Sequence, residues 1–232
     1  MNNVEDFLKK RYDPINNRTI FYENDSRIKA VLSLIDFSDN PSNALDIGCY
    51  DGEIAKKIKD AIGKKCIMYG VDIAENIGQE VEKKGIIFKI NNLNFGLDFP
   101  DNMFDFIFAG EIIEHIYDTD FFVNEIKRVL KPGGILIITT PNMVSFGRRL
   151  CYFLGIGSFM EASLTYPKKP LPAGHIRFFT RRLLVGFIAH NNFKLEKCIS
   201  DTVNFVWFKS NLLAKVMPTL GHHLICKFKN IK

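Results

Sequence analysis

The stretch Leu45-Asp46-Ile47-Gly48-Cys49-Tyr50-Asp51-Gly52 decides the fold. It joins a short apolar run, Ala44–Ile47, to a helix-like stretch, Glu53–Ile62. Two glycines at a strand-to-helix turn let the backbone approach a ligand closely. Cys49 and Tyr50 break the GxGxxG fingerprint of dinucleotide binding. Asp46 places a carboxylate beside the turn, which suits a cationic amino group better than a pyrophosphate. A second apolar run closes in Tyr69-Gly70-Val71-Asp72, with its acid where a ribose diol would lie.

Working outward, short apolar runs recur at Ile67–Val71, Ile86–Ile90, Phe104–Ala109 and Ile135–Thr139. Helix-like stretches separate them: Glu53–Ile62, Ala74–Lys84 and Thr119–Leu130. In the last, Phe122, Ile126 and Val129 share one face, Asp118 is placed as its cap, and Pro132-Gly133-Gly134 stops it. Strand–helix alternation implies an α/β protein with a mostly parallel sheet covered on both faces. A helix is expected over Asp25–Phe37, within an N-terminal helical cap spanning 1–40. Residues 141–176, with four prolines and several aromatics, interrupt the alternation and read as an insertion covering a substrate. Helical periodicity returns at Thr180–His190, followed by strand-like Lys194–Ile199 and His222–Phe228, and Val203–Leu220 reads as an amphipathic stretch. There are no internal repeats, and residues 1–232 read as one domain.

Composition excludes several classes. With 47% hydrophobic and 25% charged residues the 232-residue chain is neither disordered nor low-complexity. No apolar run reaches the roughly 20 residues of a membrane-spanning helix. Cys49, Cys66, Cys151, Cys198 and Cys226 form no CxxC pair. Their scatter argues against a disulfide framework or a zinc ribbon. Together with a charged start lacking a signal's apolar centre, it leads to the expectation of a reducing cytoplasm. Residues 1–140 hold 17 Lys/Arg against 23 Asp/Glu, whereas residues 141–232 hold 14 against 3. A basic final third suggests a face that attracts anions.

Together, LDIGCYDG, YGVD, LDFPDNMFDFIFAGEIIEHI and RVLKPGGILIITTPN resemble the class I S-adenosylmethionine-dependent methyltransferases. The likeness is densest over residues 40–142. It implies a Rossmann-like seven-stranded, mostly parallel sheet with an antiparallel last strand and helices on both faces. By position, Asp46, Gly48, Cys49 and Gly52 would hold the cofactor's methionine part, with Asp72 on the ribose and Ile73 against adenine. Asn92-Leu93 would fall where the family has an acid for the adenine amine, and Gly110 would lie near the sulfonium. Tyr50 and Asn92 depart from the family's usual glycine and aspartate; an asparagine still accepts from an amine.

The acceptor side carries Glu111-Ile112-Ile113-Glu114-His115, whose spacing would gather Glu111, Glu114 and His115 on one side of a helical turn. His115 would then act as a general base, with His175 beside it in the catalytic set. Alternatively Glu111, Glu114, His115 and His175 would hold Mg²⁺ or Mn²⁺, an arrangement that looks like quinone-precursor and small-RNA 2′-O-methylating branches of the family. A purely structural use of both motifs is the bland alternative. Arg177 is expected to meet an anionic substrate group. The expected activity is methylation of a small, partly hydrophobic and anionic acceptor, most simply on oxygen. A metal-using RNA 2′-O-methyltransferase and a non-catalytic cofactor-binding partner are the alternatives. For the RNA reading the chain offers no Arg/Lys stripe with interleaved aromatics.

Overall fold

A computed structural model describes residues 25–36, 41–156, 174–205 and 208–232. In chain order it forms α1 (Ser26–Leu32), β1 (Asn43–Ile47), α2 (Glu53–Ile62), β2 (Ile67–Asp72), α3 (Gly78–Lys83), β3 (Ile87–Ile90), β4 (Phe104–Gly110), α4 (Thr119–Val129) and β5 (Leu130–Pro141). It continues with α5 (Phe146–Phe153), α6 (Arg181–His190), β6 (Phe193–Ser200), β7 (Val203–Phe205), β8 (Phe208–Ser210), α7 (Asn211–Val216) and β9 (His223–Asn230).

Seven strands make one sheet in the order β3-β2-β1-β4-β5-β9-β6. The β1–β2, β2–β3, β1–β4 and β4–β5 pairs are parallel, and β9 runs antiparallel to both β5 and β6. The central parallel strands are buried on both faces and read as continuous apolar runs for that reason. Strand order reverses between β1 and β4, and a crevice at such a switch point, outside the strands' carboxyl ends, is where open α/β sheets bind ligands.

One face is packed by α1, α2 and α3 through Val31, Ala55, Ile58, Ile62 and Val81. The other is packed by α4 and α6 through Phe122, Val123, Ile126, Val129, Leu184 and Ile188. Asp118 caps α4 by accepting from the Phe121 N–H at 2.9 Å, and Thr180 caps α6 through the Leu183 N–H at 3.3 Å. Arg128, on the last turn of α4, donates to the carbonyls of Leu97 and Phe99 and pairs with Glu125 and Asp101 at 2.7–2.9 Å. That fork pins the 97–101 segment leading into β4, where Tyr69, Phe99 and Phe104 meet edge to face.

Four expectations change. α1 ends at Leu32 rather than running to Phe37, with 37–40 outside the described residues. The Ala74–Lys84 stretch opens as a 3₁₀ turn at Glu75–Ile77 before the short α3. Val203–Leu220 is not one amphipathic helix: a β7–β8 hairpin precedes α7, and Pro218 starts a further turn. Cys198 and Cys226, expected as thiols, are cross-strand partners on β6 and β9 and are joined as a disulfide. Their 28-residue separation conceals a neighbourhood that only the β6–β9 register creates.

Candidate active site

The site begins at the carboxyl ends of β1 and β2. Gly48, Tyr50 and Gly52 all have positive φ, at 74°, 49° and 77°. The loop is therefore wound left-handed at alternate residues, a conformation glycine adopts without cost and tyrosine does not. The Gly48 and Cys49 N–H groups donate to the Val71 carbonyl at 2.8 and 3.0 Å, which ties the loop to β2. A Cβ on Gly48 would stand 2.2 Å from Ile112 Cδ1, so the turn after β4 lies directly against the loop.

Two carboxylates frame this cradle. Asp46 is 2% exposed, and burial, aided by Asp72 and Asp51, pushes its carboxyl up to about 8. Asp72 accepts from the Tyr50 N–H at 2.9 Å and the Ala74 N–H at 3.0 Å; burial nevertheless outweighs these bonds and raises its pKa. Two desolvated acids of like sign favour a bound cation, because a positive group relieves both penalties together. Ile73 is half-buried beside Asp72.

At the end of β3, Asn92 spends its amide oxygen capping the next turn, accepting from the Asn94 N–H at 3.1 Å. Its neighbour Asn91 is buried, and its Oδ1 has no hydrogen-bond partner within the protein. Asn91 also donates its N–H to the Asp72 carbonyl at 2.9 Å. It lines a cavity of about 440 Å³ together with Ile90, Asn92, Phe95, Glu125 and Arg128. Leu93 is half-buried and packs on the core. Gly110 closes β4 with the Phe108 ring lying where its Cβ would stand, 2.4 Å away.

Beyond β4 the expected four-residue gathering divides in two. Glu111 has φ 56°, and only Ile113–His115 forms a 3₁₀ turn, so the ExxEH stretch never becomes one helical face. Glu114, His115 and His175 do converge, with a ligand atom from each lying within 4.8 Å of the others. His175 reaches them because the Ile176 and Arg177 N–H groups both donate to the Glu114 carbonyl. Glu114 accepts from Thr140 Oγ1 at 3.0 Å through Oε2, while its buried Oε1 has no hydrogen-bond partner. Burial first, then Glu111, lifts its carboxyl to about 8.

Glu111 instead turns toward Arg27 of α1 (3.4 Å), Thr139 Oγ1 (2.8 Å) and His223 Nε2 (3.6 Å). His223 in turn holds Asp201 through Nδ1 at 2.8 Å. Arg177 is exposed and donates to the Tyr117 carbonyl. Of the aromatics expected in the insertion, Phe159 and Tyr166 lie outside the described residues.

Residues 45–138 match the family model described as a methyltransferase domain. That match, short of half of the chain, runs from β1 to β5, and over it the chain is similar to S-adenosylmethionine-dependent methyltransferases. A demethylmenaquinone methyltransferase of Bacillus licheniformis is 28% identical over 152 residues, covering 63% of this chain and 65% of that protein. The chain thus spans just under two thirds of that relative's length. An S-adenosylmethionine-dependent methyltransferase from Thermotoga maritima superposes with a TM-score of 0.64 at 20% identity, covering 100% of this chain and 95% of that one. The N-methyltransferase NodS from Bradyrhizobium japonicum, solved with S-adenosyl-L-homocysteine, gives 0.62 at 16% identity, covering 99% and 100%. At such identities the superpositions establish the fold of the methyltransferase domain and not its acceptor.

The glycine loop and both acids are legible in the sequence as candidates, whereas Asn91, His223 and Asp201 are not. Asn91 was hidden by a second asparagine beside it, and the His223–Asp201 pair by a sequence separation of 22 residues. No helix among the described residues is long and apolar enough to cross a membrane.

Proposed function

We propose that this chain transfers the methyl group of S-adenosylmethionine to a hydroxyl oxygen of a small, partly apolar acceptor. The observation that carries this reading is a pair of desolvated carboxylates, buried Asp46 and half-buried Asp72, on adjacent strand tips beneath a left-handed glycine loop. The residues fit the cofactor: Asp46 suits its ammonium group, Asp72 its ribose hydroxyls, and Gly48 and Gly52 leave room for its backbone-close chain. The orphaned Oδ1 of Asn91, rather than Asn92, suits the adenine amine. When bound, the cofactor supplies an electrophilic methyl on a cationic sulfur. The protein's own task is then alignment of the acceptor oxygen and removal of its proton.

The apolar acceptor is supported by relatives named demethylmenaquinone methyltransferase, and its negative charge by the basic final third of the chain. Residues 141–156, which leave the carboxyl end of β5 through α5, are assigned to the acceptor side, and 157–173 lie outside the described residues. A second reading adds a divalent ion at Glu114, His115 and His175, favoured by the buried Glu114 Oε1, which has no hydrogen bond and faces His175 Nε2 at 4.0 Å. Two imidazoles and one carboxylate suit Mn²⁺ better than Mg²⁺, which prefers oxygen ligands. The ion would polarise an acceptor oxygen.

Titration calorimetry with S-adenosylhomocysteine, beside NAD as a control, tests the cofactor. Transfer of labelled methyl to phenols, with chelator and with added Mn²⁺, tests acceptor and ion. Binding without transfer would favour a non-catalytic partner role. Incorporation into RNA that collapses with salt would favour a nucleic-acid acceptor.

A further inference from the structure

The cluster Asp201–His223–Glu111–Arg27 is absorbed by none of the roles above. Four separate elements build it: Asp201 follows β6, His223 opens β9, Glu111 follows β4, and Arg27 lies on α1. Asp201 grips His223 twice, accepting from its backbone N–H at 3.0 Å and facing its Nδ1 at 2.8 Å. That pairing makes Nδ1 the protonated nitrogen of the neutral ring and leaves the Nε2 lone pair directed at Glu111, 3.6 Å away. An acceptor nitrogen and a carboxylate oxygen so placed lack the hydrogen that would join them. The location is also specific. Ile112, next to Glu111, presses on Gly48, so the cluster lies one residue beyond the glycine loop.

We propose that His223 is the general base of this site and that Asp201 is its positioning residue; the proposal rests on the hydroxyl-acceptor reading. As the acceptor oxygen bonds to the donated methyl, the carbon–sulfur bonding pair returns to sulfur and the hydroxyl proton passes to His223 Nε2. With the ring neutral, Glu111 and Asp201 set two negative charges against Arg27, whose positive charge Asp25 also shares at 3.6 Å, so the arriving proton reduces the excess negative charge and completes the contact to Glu111. The groups facing the ring are Asp201, Glu111, Arg27 and the adjoining His222, which stacks edge-on at 4.6 Å and has Arg148 of α5 nearby. Together they hold the imidazolium in place once it forms, as a carboxylate-backed histidine does in acyl transfer.

The experiment compares wild type, His223→Gln and Asp201→Asn on two probe phenols, catechol and the more acidic 4-nitrocatechol, at a pH where only the latter is ionised. Loss of a general base costs about 10²–10⁴-fold in kcat on catechol. The expected result is such a loss in His223→Gln on catechol and less than tenfold on 4-nitrocatechol, with affinity for S-adenosylhomocysteine unchanged. Nitrogen-15 NMR of the ring supplies a readout without turnover: wild type shows the Nδ1–H tautomer, and Asp201→Asn lowers the histidine's pKa. Equal losses on both phenols, or an Nε2–H tautomer in wild type, overturn the proposal alone. Absence of wild-type turnover on either phenol overturns the hydroxyl-acceptor reading and the proposal with it. Should His223→Gln not fold, Asp201→Asn carries the same comparison, with a smaller loss confined to catechol.

Discussion

At the scale of single residues, Gly48 and Asp46 make opposite demands on the molecule. Gly48 is both left-handed and crowded, so Gly48→Ala incurs backbone strain of roughly 1–2 kcal/mol and a clash with Ile112. A Gly48→Ala/Ile112→Ala double variant is expected to recover the clash but not the strain, which urea denaturation of the three proteins will separate. Asp46 is the converse, a buried acid whose cost in stability the proposed cofactor site would explain. Asp46→Asn is expected to raise the melting temperature at pH 8 while weakening S-adenosylhomocysteine about 10–150-fold, the worth of one charge-assisted hydrogen bond. Calorimetry and a thermal melt on the same preparation check both halves.

At the scale of elements, the strands of the parallel half were legible because burial on both faces writes them as unbroken apolar runs. The helices α4 and α6 were legible because a capping side chain and an apolar stripe agree. The short α3 was overcalled, since its six residues lie within a stretch whose periodicity extends through a 3₁₀ turn. Glu111 was misplaced because residue spacing assumes a helix and its own φ of 56° forbids one. The α4-to-loop staple was invisible because Arg128 meets Leu97, Phe99 and Asp101 across about thirty residues. Its value rests on a planar fork of five donors, which lysine lacks. Arg128→Lys is therefore expected to cost about 2 kcal/mol in chemical denaturation, with the melting temperature falling accordingly. Amide exchange in the 97–101 segment should rise in the same variant.

At the scale of the whole molecule, pH ties stability to ligand binding. Asp46 has a folded pKa of about 8 against an ordinary 3.8, so between those values the native state holds a proton that the unfolded chain has lost. Stability from this group is present below about pH 4 and declines as pH rises toward 8. Asp201 acts in the opposite sense: with a folded value of about 2, its contribution is complete above pH 3.8 and is lost as pH falls through 2. Glu114, also raised to about 8, acts in the same sense as Asp46, so the unliganded protein is expected to melt higher at pH 5.5 than at pH 8, by roughly 5–10 °C from Asp46 alone. The stabilisation by S-adenosylhomocysteine should run the other way, growing with pH as Asp46 becomes free to ionise against the ammonium. A grid of thermal melts over pH, with and without the ligand, decides both signs.

The position of β9 has a consequence for synthesis. It is the latest strand of the sheet to be translated, yet it sits between β5 and β6. Until residues 223–230 have left the ribosome, both of its partners display open hydrogen-bonding edges, and β6 has no neighbour in the sheet at all. The sheet therefore stays open on the ribosome until the histidine of the proposed proton acceptor has emerged. Ribosome-bound intermediates should carry a five-stranded, aggregation-prone half-product that a chaperone must shield.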